Sequence, residues 1–73
     1  MTKDELKREI DELLQTYLDL GDNAAIIVRE LKKTSSAEVR SKLVDELRNT
    51  DNKRIDILNQ IDRLSNETAF KVP

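Results

Sequence analysis

Six carboxylates near the start of the chain are the residues best suited to do chemistry. Paired carboxylates act as general acid and base when a shaped, water-poor cleft tunes them. Here they alternate with Lys3, Lys7 and Arg8, so the first twenty residues carry a net charge of −3. Alternating charge is typical of a solvated helix face, and we expect that setting for all six. They are Asp4, Glu5, Glu9, Asp11, Glu12 and Asp19.

The remaining reactive side chains are scarce in these 73 residues, which include no Cys and no His. The usual zinc and iron–sulfur sites therefore lack ligands, and Cys–His or Ser–His nucleophiles cannot form. The spacing of an EF-hand calcium loop does not occur either. We therefore expect no catalytic residue, cofactor, metal ion or small-molecule substrate, and we predict that the protein is not an enzyme.

Basic residues in the second half of the chain suggest a nucleic-acid-binding alternative. Residues 21–66 carry a net charge of +1, although the whole chain is at −2. Tyr17 and Phe70 are the only aromatic residues, so stacking side chains are not interleaved with the basic ones. Nucleic acid is therefore the less favoured partner. The basic residues that would carry this alternative are Arg40, Lys42, Arg48, Lys53 and Arg54.

Two stripes of apolar residues spaced alternately by four and three indicate the elements that position these groups. This is a heptad repeat, in which residues 6, 13, 20 and 27 occupy d positions and residues 10, 17, 24 and 31 occupy a positions. A second stripe runs from Leu43 to Leu64, with the polar residues Thr50 and Arg54 at its centre. The expected core or oligomer interface comprises Leu6, Ile10, Leu13, Tyr17, Leu20, Ile27, Leu31, Leu43, Leu47, Ile57, Ile61 and Leu64.

Capping signals divide these stripes into two helical arms. Thr2 with Glu5, and Ser35 with Glu38, have the spacing of capping boxes, with Thr2 and Ser35 as N-caps. The sequence therefore predicts an all-α single domain of residues 1–73, built as a long antiparallel helical hairpin. Its arms span about residues 3–33 and 36–66, each roughly 46 Å long. Residues 67–73 are expected to form a flexible C-terminal tail.

Each arm has a weak point near its middle, at residues 21–23 and at residues 49–52. Gly21 can end a helix, and Asp22 can begin one. The alternative architecture is therefore a compact monomeric bundle of three or four short helices, with breaks at both places. The heptad phase continues across both weak points, and it favours long arms.

The apolar stripes are wider than the seam between two helices requires. Leu14 and Val28 occupy e positions in the first arm, and Val44 and Leu58 do so in the second. A face of this width suits a four-helix bundle, because a lone hairpin leaves it uncovered. We therefore predict a homodimer of two hairpins. Further residues that broaden the stripes are Leu18, Ala25 and Ile55.

Four residues are candidates for binding a partner: Ile26, Arg54, Ile55 and Phe70. Ile26 lies on the back of the stripe. Arg54 occupies an a position nearly opposite Tyr17, where it can form a cation–π contact or extend to solvent. Phe70 can fold back toward Leu6, remain in a frayed terminus or dock on a partner.

The expected function is that of a small non-enzymatic protein–protein interaction module acting through helix-face packing. Its size and style are those of bacterial or phage regulators, adaptors and inhibitors, and its protein partner is not identified by the sequence. The longest apolar run is residues 24–28, whereas a membrane span needs roughly 20 residues. We expect a cytoplasmic protein without a membrane partner. A designed or structural helical bundle is a further alternative.

Overall fold

The chain folds as two long helices joined by a short turn. The structure, a computed structural model, describes the backbone of residues 2–71 and the side chains of residues 2–66. Helix α1 spans Lys3–Lys33 and helix α2 spans Ala37–Lys71. The all-helical hairpin is therefore as predicted, and the bounds of α1 coincide with the predicted arm. Helix α2 starts one residue later than predicted and continues five residues past the predicted end, into the segment assigned to a tail.

Both helices are continuous through their expected weak points. Helix α1 passes through residues 21–23 and α2 through residues 49–52, so the alternative with breaks is wrong. Gly21 has an ordinary helical backbone with negative φ. Its cost of about 1 kcal/mol relative to Ala is smaller than the gain of about 1.5–3 kcal/mol from burying one large apolar side chain. Packing of the two helices therefore outweighs local propensity at these points.

The helix ends are capped by hydroxyl side chains. The backbone N–H of Glu5 donates to Thr2 Oγ1 at 3.1 Å, which makes Thr2 the N-cap of α1 as predicted. At α2 the N–H of Val39 donates to Ser36 Oγ at 3.3 Å. The N-cap of α2 is therefore Ser36, and the prediction of Ser35 is wrong by one residue. The turn consists of residues 34–36, between Thr34, the C-cap of α1, and the start of α2 at Ala37.

The two helices pack side by side in a rod with extents of 57 × 14 × 13 Å. Every residue of the expected core list is buried or half-buried, as are the central polar residues of the second stripe. The core is nevertheless thin. Within the described residues, the hydrophobic side chains classed as buried are Leu6, Ala24, Leu43 and Ile57, each 7–9% exposed. Two helices alone thus bury little apolar surface for a chain of this length.

Candidate functional site

A polar contact crosses the hairpin at its middle. The guanidinium carbon of Arg54 lies 4.4 Å from the centroid of the Tyr17 ring, which is a cation–π geometry. The guanidinium also lies against Gly21, since a Cβ placed there would be 3.3 Å from Arg54 Nη2. Helix α1 thus contacts the guanidinium at two places, through the ring of Tyr17 and, one turn later, through the open space at Gly21. We call these three residues the waist.

The waist contains an unsatisfied buried donor. Arg54 Nε is buried and has no hydrogen-bond partner among the described residues. Leaving such a donor unpaired costs about 1–3 kcal/mol, whereas a cation–π contact returns about 0.5–2 kcal/mol. The two contributions are of similar size and opposite sign, so we expect Arg54 to contribute little to the net stability of the hairpin. Its position in the seam suits it better to fixing the alignment of α2 against α1.

The hairpin has two different sides, which follow from its antiparallel arrangement. In antiparallel packing, the g positions of both helices flank one side of the seam and the e positions flank the other. The structure shows this directly, because one groove is lined from α1 by Asn23 and Glu30 and from α2 by Glu46 and Lys53. All four of these residues occupy g positions. The side that carries them is called the polar side below.

The polar side continues toward the free ends of the helices. A second groove there is lined by Glu9, Gln60, Arg63 and Leu64. Helix α1 brings Glu9 and Glu30 to this side, and α2 contributes Glu46, Lys53 and Arg63. The polar side is therefore charged along most of its length, and this composition is that of a solvated surface.

The opposite side of the hairpin exposes large apolar side chains. Seven large hydrophobic residues of the described chain are exposed, and five of them occupy e or b positions on this side. Their exposed fractions run from 39% for Val28 to 60% for Leu18. Two further apolar residues lie on this side: Ala25, which is exposed at a b position, and Val44, which is half-buried at an e position. This surface, called the apolar side, comprises Leu14, Leu18, Ala25, Val28, Val44, Ile55 and Leu58.

The structure separates the residues that the sequence proposed for partner binding. Ile55 belongs to the apolar side, whereas Ile26 is 49% exposed beside the groove of the polar side. Arg54 lies in the waist, and the side chain of Phe70 lies outside the described residues. Val39 is exposed at a g position and was not singled out by the sequence. Of the four candidates, Ile55 is thus the one that lies within a larger apolar surface.

The basic residues of the nucleic-acid alternative point in different directions. Arg40 Nη2 donates to the carbonyl oxygen of Thr34 at 3.1 Å, which stabilises the end of α1. Arg48 lines a groove near the turn, on the apolar side, and Lys53 lies on the polar side. Arg54 faces Tyr17, and Lys42 is exposed at a c position. The hairpin does not gather the five into one positive stripe.

Gly21 is the residue whose role the sequence analysis missed. It was considered only as a helix terminator, but the structure uses it to accommodate the guanidinium of Arg54. The signal was available, because Gly21 is the single glycine of the chain. It also lies one turn from Tyr17, which the sequence already placed opposite Arg54.

Three further findings bear on function. Among the described residues, no three acidic side chains come together in a way that could hold a metal ion. Neither helix, over the same residues, has a stretch both long and apolar enough to cross a membrane. Comparison with family models, with curated proteins and with solved structures gave no match to this chain.

Proposed function

We propose that this protein is a non-enzymatic protein–protein interaction module that acts by packing helix faces. Its interaction surface is the apolar side, and the occupant of that surface is a second copy of the chain. Two hairpins then form a four-helix bundle in which both apolar sides are covered. The observation that carries this proposal is the gathering of five exposed large hydrophobic residues on one side of a thin hairpin.

The dimensions of the hairpin support this assignment. The apolar side runs over residues 14–28 of α1 and 44–58 of α2, so it covers about 21 Å of the 57 Å rod and, at a width of 14 Å, roughly 300 Å². An apolar patch of this extent on a soluble protein is often functional. The extra width of both stripes is what a helix needs inside a four-helix bundle.

The dimer leaves the polar sides at its surface, and these are available to other proteins. Helix α1 is acidic near its start, so a basic partner surface is the chemistry that it would attract. This is the role of a small regulator, adaptor or inhibitor. We place it in the cytoplasm as part of the same proposal, because a chain without cysteine gains nothing from an oxidising compartment.

The test is the solution mass over a concentration series, measured by light scattering or sedimentation equilibrium. We expect a mass twice the 8.4 kDa of the chain, falling toward the monomer on dilution. Leu18→Lys places a charge at the most exposed large residue of the apolar side, about one turn from its centre, and should shift the midpoint of dissociation at least tenfold upward. Ile26→Lys is the matched control, because it changes a similarly exposed apolar residue of the same helix beside the polar groove.

A chain that stays monomeric at every concentration would contradict the proposed dimer. An equal effect of Leu18→Lys and Ile26→Lys would show that the apolar side is not the surface involved. Circular dichroism of both variants separates loss of association from loss of helix.

A further inference from the structure

The apolar side is graded in size along α1. Two leucines, Leu14 and Leu18, lie toward the free end, Gly21 lies in the middle, and the smaller Ala25 and Val28 lie toward the turn. Two such helices laid antiparallel, with Gly21 on Gly21, bring Leu14 opposite Val28 and bring Leu18 within about one residue of the level of Ala25. Each large side chain then faces a smaller one, which is the arrangement that fills space between helices.

The charges at the borders of this stretch agree with the same alignment. Asp11 occupies the b position before the apolar stretch of α1, and Lys32 occupies the b position after it. When Gly21 lies on Gly21, Asp11 of one copy comes within about one residue of the level of Lys32 in the other. Opposite charges therefore meet at both ends of the α1 contact.

Helix α2 carries an independent pattern at the same level. The contact of Arg54 with Tyr17 fixes the alignment of the helices, and counting one turn toward the hairpin turn places Gly21 level with residues 49–50. With a two-fold axis at that level, Arg48 of each copy lies opposite Asp51 of the other copy. The symmetry therefore produces two equivalent pairs. It also sets Val44 opposite Ile55. Arg48 and Asp51, the charged residues at b and e positions in the middle of the apolar side, are thus paired by the axis that fits α1.

The other symmetric arrangement leaves these charges without partners in the other copy. If the two turns lay at the same end, α1 of one copy would cover α2 of the other. Gly21 would then lie over residues 49–50, between Arg48 and Asp51, and Leu18 would lie over residues 52–53, between Asp51 and Ile55, at the centre of the interface. Covering a charge with apolar surface is costly when no opposite charge reaches it.

From these patterns we propose that the two copies pack with their turns at opposite ends, α1 on α1 and α2 on α2, about a two-fold axis beside Gly21. This inference rests on the proposed function and specifies the register of its dimer. The Arg48–Asp51 pairs fix that register and exclude partners that lack the same pattern. The leucines of α1 supply the apolar contact.

A charge-exchange experiment tests the register. Arg48→Asp gives a chain with two negative residues at these positions, and Asp51→Arg gives a chain with two positive ones. Each variant alone should dimerise about 10–100-fold more weakly than the wild type, because both pairs become like-charged. An equimolar mixture should recover nearly the wild-type affinity, since every pair in the heterodimer is again of opposite sign.

The outcomes distinguish the inference from the function on which it rests. Recovery in the mixture supports the register, because it requires residues 48 and 51 of different copies to meet. A wild-type dimer without recovery in the mixture overturns the register and leaves the interaction module intact. A wild-type chain that never dimerises overturns both. Circular dichroism shows whether the separate variants remain helical.

A distance measurement gives a second, independent reading. Ser35→Cys introduces the only cysteine of the chain in the turn, outside both helices. Spin labels there should be about 40 Å apart in the proposed dimer, because residue 35 is fourteen residues from the axis at 1.5 Å each. A separation under about 20 Å would mean that the turns lie together, since neighbouring helices are only 8–10 Å apart. That result would overturn the proposed arrangement.

Discussion

Replacing Arg54 by methionine should stabilise the hairpin, although it removes a charge and a cation–π contact. The guanidinium lies 4.4 Å from the Tyr17 ring centroid, and such a contact contributes about 0.5–2 kcal/mol. Its buried Nε lacks a partner among the described residues, at a cost of about 1–3 kcal/mol. Met has a similar helix propensity and an unbranched apolar side chain, so it can follow the same path across the seam. We expect a net gain of about 1 kcal/mol in the free energy of unfolding.

Thermal unfolding followed by circular dichroism measures this effect. A gain of 1 kcal/mol corresponds to a rise in Tm of about 4–8 °C for a domain of this size. Chain concentration must be equal in all samples, because association raises the apparent stability. Lys53→Met is the matched control, since Lys53 is exposed on the polar side and its replacement should change Tm little. A lower Tm for Arg54→Met would refute the expectation that Arg54 contributes little to the net stability.

Two further predictions follow from the waist and the caps. Gly21→Ala should raise the free energy of unfolding by about 1 kcal/mol in the Arg54→Met background, because the new methyl group has room there. The gain should be smaller in the wild type, because the guanidinium of Arg54 must move. A double-mutant cycle of Tm or urea midpoints measures the difference, and equal effects in both backgrounds would contradict the prediction. Ser36→Ala should cost about 1 kcal/mol through loss of the hydrogen bond to the N–H of Val39, whereas Ser35→Ala should be neutral. The reverse order in urea unfolding would restore Ser35 as the cap.

The architecture was predictable because three signals in the sequence agree. The heptad spacing runs without a phase change, the capping residue of α1 precedes a first turn that is acidic, and the chain holds a single glycine. Local propensity at residues 49–52 opposes a helix, yet α2 continues through them. The reason is cooperative, since a helix held along one face by packing tolerates a few poor residues. The end of α2 was predicted less well, because the stripe ends at Leu64 and no capping residue marks a stop.

The interaction surface was only partly predictable. The e positions already indicated a face wider than one seam, but the sequence offered Ile26 as a binding residue with equal weight. The antiparallel packing, which the sequence predicted, places e positions on one side and g positions on the other, but this consequence for Ile26 and Ile55 became apparent only with the groove beside Ile26. The pairing of Arg54 with Gly21 could not be read from periodicity either. It depends on a side chain that crosses the seam into space left by a missing Cβ.

The polar residues at the middle of the hairpin are better explained by alignment than by stability. Thr50 and Arg54 interrupt an apolar seam that would bury more surface without them, and Arg48 and Asp51 interrupt the apolar side at the same level. A uniformly apolar stripe could slide by a heptad against its partner with little change in contact area. A guanidinium that fits only between Tyr17 and Gly21 cannot slide without losing both. Together with the proposed Arg48–Asp51 pairs, this contact would fix the register within each hairpin and between the two copies.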